Sequence, residues 1–138
     1  MEKVILKRKE HLYETDTQGI VHFANYPKYF EEARELLSEK VNFSYRKLLE
    51  EENIAVVIIK LSVDYKRPLF YEDIIEIEVG VKELKRTYFS FVYKVYKENQ
   101  LMVSGYTKHC CIDLNTGKIV PIPHLLKEAL EKCPRISA

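Results

Sequence analysis

The sequence predicts an α+β protein in which an antiparallel sheet carries a long helix packed on one face. Three observations carry that expectation. A strongly periodic helix segment lies early in the chain, four long strand-like runs follow it, and the link between the last two runs is too short for anything but antiparallel pairing. The 138 residues are expected to form one domain, residues 1–138, able to bury roughly two thirds of the unfolded surface.

The first segment, "KVILKRKEHLY", mixes β-branched and apolar residues with charges and reads as a strand. The helix comes next. Tyr26, Tyr29, Phe30, Ala33, Leu36, Leu37 and Val41 fall on one stripe of a period of about 3.6 residues, with Lys28, Glu31, Glu32, Glu35 and Glu39 mostly on its flanks. So aromatic a stripe suits a broad sheet better than a second slim helix. After the break at Asn42 to Ser44, Ser44 can cap a shorter helix, "YRKLLEEEN", with Phe43 and Leu48 placed as a hydrophobic staple.

Four strand runs follow. In "IAVVIIKLSVDYKRP", Val57, Ile59, Leu61, Val63 and Tyr65 are expected on one face, and Pro68 closes the run. Ile75, Ile77, Val79 and Val81 share a face opposite Glu76 and Glu78; Phe89, Phe91, Tyr93 and Val95 do the same in the run after. Glu98-Asn99-Gln100 is a short hairpin link to "LMVSGYTKHCCIDL", which ends at a turn on Gly117. A last helix is expected from about Pro123 to Lys132. The strands therefore number five.

Composition narrows the function. With 22 basic and 21 acidic residues the formal charge is +1, which argues against duplex nucleic acid or an anionic membrane surface as partner. No apolar run approaches the ~18 residues of a membrane span. The charged, alternating opening "MEKVILKRKE" has no signal-peptide core, so a cytoplasmic location is expected. The three cysteines show neither metal-site nor disulfide spacing and are expected to be reduced thiols; Cys110 and Cys111 would point to opposite strand faces. No metal and no cofactor are expected.

The stretch "ETDTQGIVHFANYPKYFEEAR", Glu14 to Arg34, raises the chemical question. Gly19, three residues after Asp16, suggests a tight turn, since glycine accepts positive φ without a Cβ clash. Pro27 must lie in a first helical turn, so the helix is expected to start at about Ala24 or later with Phe23, Asn25 or Tyr26 at the cap; Asn25 is the residue type best suited to capping. Backbone N–H groups from Phe23 to Tyr26 are then candidates to be unpaired at the positive end of a helix dipole, where a negative oxygen is stabilised. Asp16 could attack an acyl carbonyl held there, or activate water to do so. The spacing alone is equally that of an ordinary polar turn.

The pattern Thr15-Asp16-x-x-Gly19-Ile20-Val21-x-Phe23-x-x-Tyr26, the "ANY" ahead of an aromatic-rich acidic helix, "DYKRPLFYEDII" and "DLNTGKIVPIP" together resemble the 4-hydroxybenzoyl-CoA thioesterase family of hotdog-fold enzymes. The resemblance covers nearly the whole chain. It implies an acyl-CoA thioesterase with a five-stranded antiparallel sheet wrapped around the helix, and dimers joined sheet edge to sheet edge with active sites at the interface. Such dimers often pair into tetramers. The family's catalytic carboxylate falls on Asp16, as general base or nucleophile. Its oxyanion donor, a backbone N–H, falls on Phe23, supported by Gly19, Asn25 and Tyr26. Some members carry histidine where this chain has Phe23; His22 stands one place earlier, so the resemblance gives no histidine a role.

Coenzyme A carries phosphates, so a basic rim is expected near the site. Arg86 leads the candidates for its forked donors, with Lys85, Arg67 and Lys108 behind; solvated strand ends are the competing reading for each. Tyr26, Tyr29 and Phe30 are candidates for the acyl pocket and equally for plain core. Two other functions are open: a hotdog hydratase or dehydratase, whose histidine would fall on Val21 or near His22, and a non-catalytic acyl-ligand binder, which would have no need of Asp16 beside a carbonyl.

Overall fold

The computed structural model describes residues 1–137. A single antiparallel sheet holds strands β1 (Val4–Lys9), β2 (Ile54–Tyr65), β3 (Ile74–Leu84), β4 (Tyr88–Lys97), β5 (Gln100–Asp113) and β6 (Lys118–Val120). Its order is β1-β3-β4-β5-β2, with β6 beside β5. Helix α1 (Tyr26–Lys40) lies across the sheet, α2 (Tyr45–Glu52) follows it, and α3 (His124–Lys132) precedes the terminal segment. This is the hotdog arrangement, with six strands rather than five. The sixth is only three residues long, too short for any alternation to register, and it pairs with Cys111–Asp113 beyond the point where β4 begins.

The core lies between α1 and the concave face of the sheet. Tyr26, Tyr29, Phe30, Ala33 and Leu37 of α1 are buried against Ile75, Ile77, Val79 and Val81 of β3 and Phe89, Phe91, Tyr93 and Val95 of β4, the residues whose alternation marks those faces. Phe30 stacks on Tyr93 with ring centroids 4.3 Å apart, and a side chain at Gly105 of β5 would overlap the Phe30 ring. A bare backbone at Gly105 is what lets the helix come so close. The β4–β5 hairpin turns on Glu98 and Asn99, with φ of 49° and 65°, so Gln100 already belongs to the strand.

One further expectation needs correction, and the expected start of α1, at about Ala24 or later, is made definite. In β2 the register breaks between Ile58 and Lys60, where a bulge at Ile59 puts an extra residue opposite β5. Ile54 and Val56 pack on the core before it and Val63 after it, so Val57 does not share a face with Leu61, Val63 and Tyr65. The bulge sits inside an unbroken apolar run, which hides it. At the start of α1, a 3-10 turn spans Phe23–Asn25 and the α-helix begins at Tyr26 with Pro27 in its first turn, later than Ala24. Ser44 caps α2 as its residue type suggests, accepting from the Lys47 N–H at 3.1 Å. Among the described residues no helix is long and apolar enough to cross a membrane. All three cysteines are free and buried; burial pushes the Cys111 and Cys133 thiols up to about 11.

Candidate active site

Asp16 opens a tight loop. Thr15 and Val21 form an antiparallel bridge, the Asp16 N–H donates to Ile20 O at 2.8 Å, and the Gly19 N–H donates to Asp16 O at 3.1 Å. Gly19 has φ of +78°, and its carbonyl accepts from the Tyr71 N–H at 3.3 Å. The loop orients the carboxylate as well as the backbone. Oδ1 accepts from the Gln18 and Ile20 N–H groups at 2.8 and 3.2 Å, whereas no described residue bonds Oδ2. The Asp16 side chain is exposed in the single chain.

The chain then returns to α1 through His22 to Asn25. The His22 N–H donates to Glu14 O at 2.9 Å, and the His22 ring Nδ1 accepts from the Ala24 N–H at 3.1 Å. Histidine, not asparagine, caps this entrance. Asn25 instead turns its side chain back and donates Nδ2 to Glu14 O at 2.7 Å, while its own N–H donates to His22 O. Of the amides expected to be free, those of Ala24 and Asn25 are therefore taken. The Phe23 N–H has no acceptor among the described residues. Phe23 is 64% exposed, and its carbonyl accepts from the Tyr65 hydroxyl at 3.1 Å, tying the segment to the far end of β2.

Beneath this loop lies a buried polar cluster that strand periodicity did not reveal. Arg8 Nη1 donates to Glu10 Oε1 at 2.7 Å, and its two terminal nitrogens grip Glu14 at 3.1 and 2.9 Å. Glu10 is wholly buried. Burial pushes its carboxyl up to about 7, only partly offset by Tyr29 and Arg8. Burial acts the same way on Glu14, but there the Arg8 hydrogen bonds and the His11 N–H outweigh it and hold the carboxyl below its ordinary value. Tyr26, Tyr29 and Phe30 are core residues.

A separate groove of about 530 Å³ opens between α1, α2 and the first half of β2, lined by Arg34, Tyr45, Val56, Ile58, Phe91 and His109 among others. Its floor is a polar chain. Arg34 Nη1 donates to the Tyr93 hydroxyl at 2.9 Å, which lies 2.6 Å from Thr107 Oγ1, itself 2.8 Å from His109 Nε2. Burial, with Arg34 adding to it, lowers the His109 pKa to about 3, so the ring is neutral.

Of the four basic candidates, Lys85, Arg86 and Lys108 lie at the end of the sheet away from Asp16 in the single chain. The Arg67 N–H bonds Met102 O near the Tyr65 end of β2, which is also the Asp16 end. Lys85 and Arg86 lie in the β3–β4 hairpin, next to Tyr88, which pairs with Cys110; Lys108 turns toward them, its Nζ 4.0 Å from the Tyr88 ring centre. Val103, opposite Tyr65, and Cys110 are seven residues apart on β5. At about 3.4 Å per residue that is roughly 24 Å. Strand β3 runs between Arg67 and Arg86, from one end of the sheet to the other.

Residues 11–130 match the model of the thioesterase-like superfamily. An acyl-CoA thioesterase, YbgC of Haemophilus influenzae, is 31% identical over 116 residues, covering 84% of this chain and 85% of that one. The crystal structure of an Aquifex aeolicus protein superposes with a TM-score of 0.85 and 42% identity over 91% of this chain and 98% of the other. That of a DHNA-CoA thioesterase from Staphylococcus aureus does so with a TM-score of 0.86 and 27% identity over 96% and 91%. The chain belongs to the thioesterase-like superfamily, and its chemistry is that of a thioester hydrolase.

Proposed function

We propose that this thioesterase hydrolyses an acyl-CoA thioester to the free acid and CoA, with Asp16 as general base or nucleophile and the Phe23 N–H as oxyanion donor. One observation carries the reading: Asp16, on the loop closed by the Thr15–Val21 bridge, has one carboxylate oxygen fixed by two N–H groups and the other bonded by no described residue, and the Phe23 N–H, two residues past that bridge, has no acceptor among the described residues. As general base, Asp16 takes a proton from water as the water oxygen bonds the thioester carbon. The negative charge moves to the carbonyl oxygen, where the Phe23 N–H stabilises it, and the intermediate collapses by breaking the C–S bond to release CoA. As nucleophile, an Asp16 carboxylate oxygen bonds the thioester carbon, the C–S bond breaks to release CoA as its thiolate, and water then opens the resulting anhydride to the free acid and the Asp16 carboxylate. Solvent oxygen-18 entering Asp16 after a single turnover separates the two. Asp16→Asn is expected to lower kcat on the order of 10²-fold or more with the fold intact. A fully active variant refutes the assignment.

The reading extends to assembly. Strand β2 is a twelve-residue open edge, with Ile58, Ile59, Leu61 and Tyr65 exposed along it, and such an edge is a template for a second chain. Two copies paired antiparallel through β2 would set each Asp16 loop beside the opposite end of the other sheet. The partner's Lys85, Arg86 and Lys108 then face the CoA phosphates alongside this chain's Arg67, and the partner's Arg34 groove faces the acyl group. In this reading the enzyme is a cytoplasmic homodimer able to pair further into a tetramer. Light scattering measures the assembly. Thiol release across aliphatic and aryl acyl-CoA substrates identifies the acyl group.

A further inference from the structure

The geometry points to Arg8 as a positioning residue that fixes the Asp16 carboxylate relative to the Phe23 N–H. The inference rests on the catalytic reading above. Neither group touches Arg8; the guanidinium acts on both through two branches.

The first branch runs through Glu14. Arg8 holds both oxygens of its carboxylate, and Glu14 Oε1 also accepts from the His11 N–H at 2.9 Å. With its side chain pinned, the Glu14 carbonyl is fixed, and it accepts from both ends of the Phe23 segment: the His22 N–H at 2.9 Å and Asn25 Nδ2 at 2.7 Å. The second branch runs through Glu10. Its N–H donates to Asp73 O and its carbonyl accepts from the Glu72 N–H, each at 2.8 Å. Asp73 Oδ2 in turn accepts from the Phe70 N–H, Phe70 bridges Ile20, and the Tyr71 N–H holds Gly19 O. One branch thus sets the oxyanion donor and the other sets the turn that aims Asp16.

Arg8 itself cannot wander. Its guanidinium lies 4.0 Å over the Tyr29 ring of α1, and Nε is 3.3 Å from Glu32 Oε2. Packing alone does not account for such a cluster, because apolar residues of similar volume fill buried space at least as favourably as ion pairs. What apolar residues lack is direction. A forked guanidinium meets carboxylates at fixed angles, and catalysis depends on placement at the ångström scale.

The test measures thiol release, unfolding midpoint and amide hydrogen exchange on Arg8→Lys, Glu14→Gln and the neutral triple variant Arg8→Met/Glu10→Gln/Glu14→Gln. The triple variant leaves no buried charge unpaired within the cluster and keeps the test open if a single variant unfolds. A core variant, Ile77→Val, supplies destabilisation away from the site. Positioning predicts kcat lower on the order of 10²-fold in the Arg8 variants. KM should stay within about twofold, as for a loss felt in the transition state alone. Exchange should quicken at Ile20 and at His22, whose N–H is held by the Glu14 carbonyl, and not at Val79, whereas Ile77→Val should keep its kcat. A folded Arg8→Lys and triple variant with unchanged kcat overturns the inference, as does a kcat that falls equally in Ile77→Val. Should the unmodified enzyme release no thiol from any acyl-CoA, the acyl-CoA reading falls instead, and unchanged exchange at Ile20 and His22 would then be what overturns positioning.

Discussion

Glu10 and His109 should give this protein two opposing pH dependences that nearly cancel, and single substitutions should uncover each. Glu10 is wholly buried, with its carboxyl raised from 4.5 to about 7. The native state therefore binds this proton more tightly than the unfolded chain does. The associated stability is fully present below pH 4.5 and is lost as the pH rises to about 7. At 1.36 kcal/mol per pH unit, the whole change is roughly 3 kcal/mol. His109 is 4% exposed and lowered from 6.5 to about 3. Its native ring resists the proton, so its contribution is present above pH 6.5 and is lost as the pH falls toward 3, a change of roughly 5 kcal/mol.

Between pH 4.5 and 6.5 the two slopes are equal and opposite. Over those two pH units each amounts to roughly 3 kcal/mol. Relative to the unmodified protein, Glu10→Gln should therefore gain stability as the pH rises through this window, and His109→Gln should lose it by about as much. Urea denaturation at pH 4.5, 5.5 and 6.5 reads both. Comparing the slope of each variant with that of the unmodified protein removes the background from other carboxylates, which all three proteins share. Parallel curves would refute the reasoning, because they would mean that neither group changes its proton affinity on folding. A Glu10→Gln curve alone running parallel to that of the unmodified protein would show that the Arg8 pair offsets burial at that carboxyl.

Gly105→Ala should cost about 1–3 kcal/mol by driving Phe30 off Tyr93, and adding Phe30→Leu should recover part of it; a neutral single variant in urea denaturation would show that α1 can lift freely. Ser44→Ala should cost about 1 kcal/mol through the lost Lys47 cap, read by the same assay, whereas Asn25→Ala should act through the lost bond to Glu14 and appear mainly as reduced kcat.

What could be read from the sequence divides by the range of the interaction involved. The faces of β3 and β4 were legible because alternation is a neighbour-to-neighbour property: Ile75 to Val81 and Phe89 to Val95 are buried where the pattern puts them. The Asp16 loop was legible for the same reason, its turn being closed by Gln18, Gly19 and Ile20. The bulge at Ile59 was not, since one extra residue in "VVIIKL" leaves no local mark and reverses every face before it. Arg8 and Glu10 drew no role from the sequence because what pairs and buries them is distant in the chain: Glu14 beyond the strand and Tyr29 on α1. The cap position of α1 was legible, since Asn25 occupies it, but its bonding was not: the Asn25 side chain turns back to the Glu14 carbonyl, and His22 caps the 3-10 turn ahead of the helix. The separation of Arg67 from Arg86 is set by the length of β3, which runs between them from one end of the sheet to the other. A motif can thus single out Asp16 as the candidate carboxylate, but what aims its side chain is decided by contacts that cross the sheet.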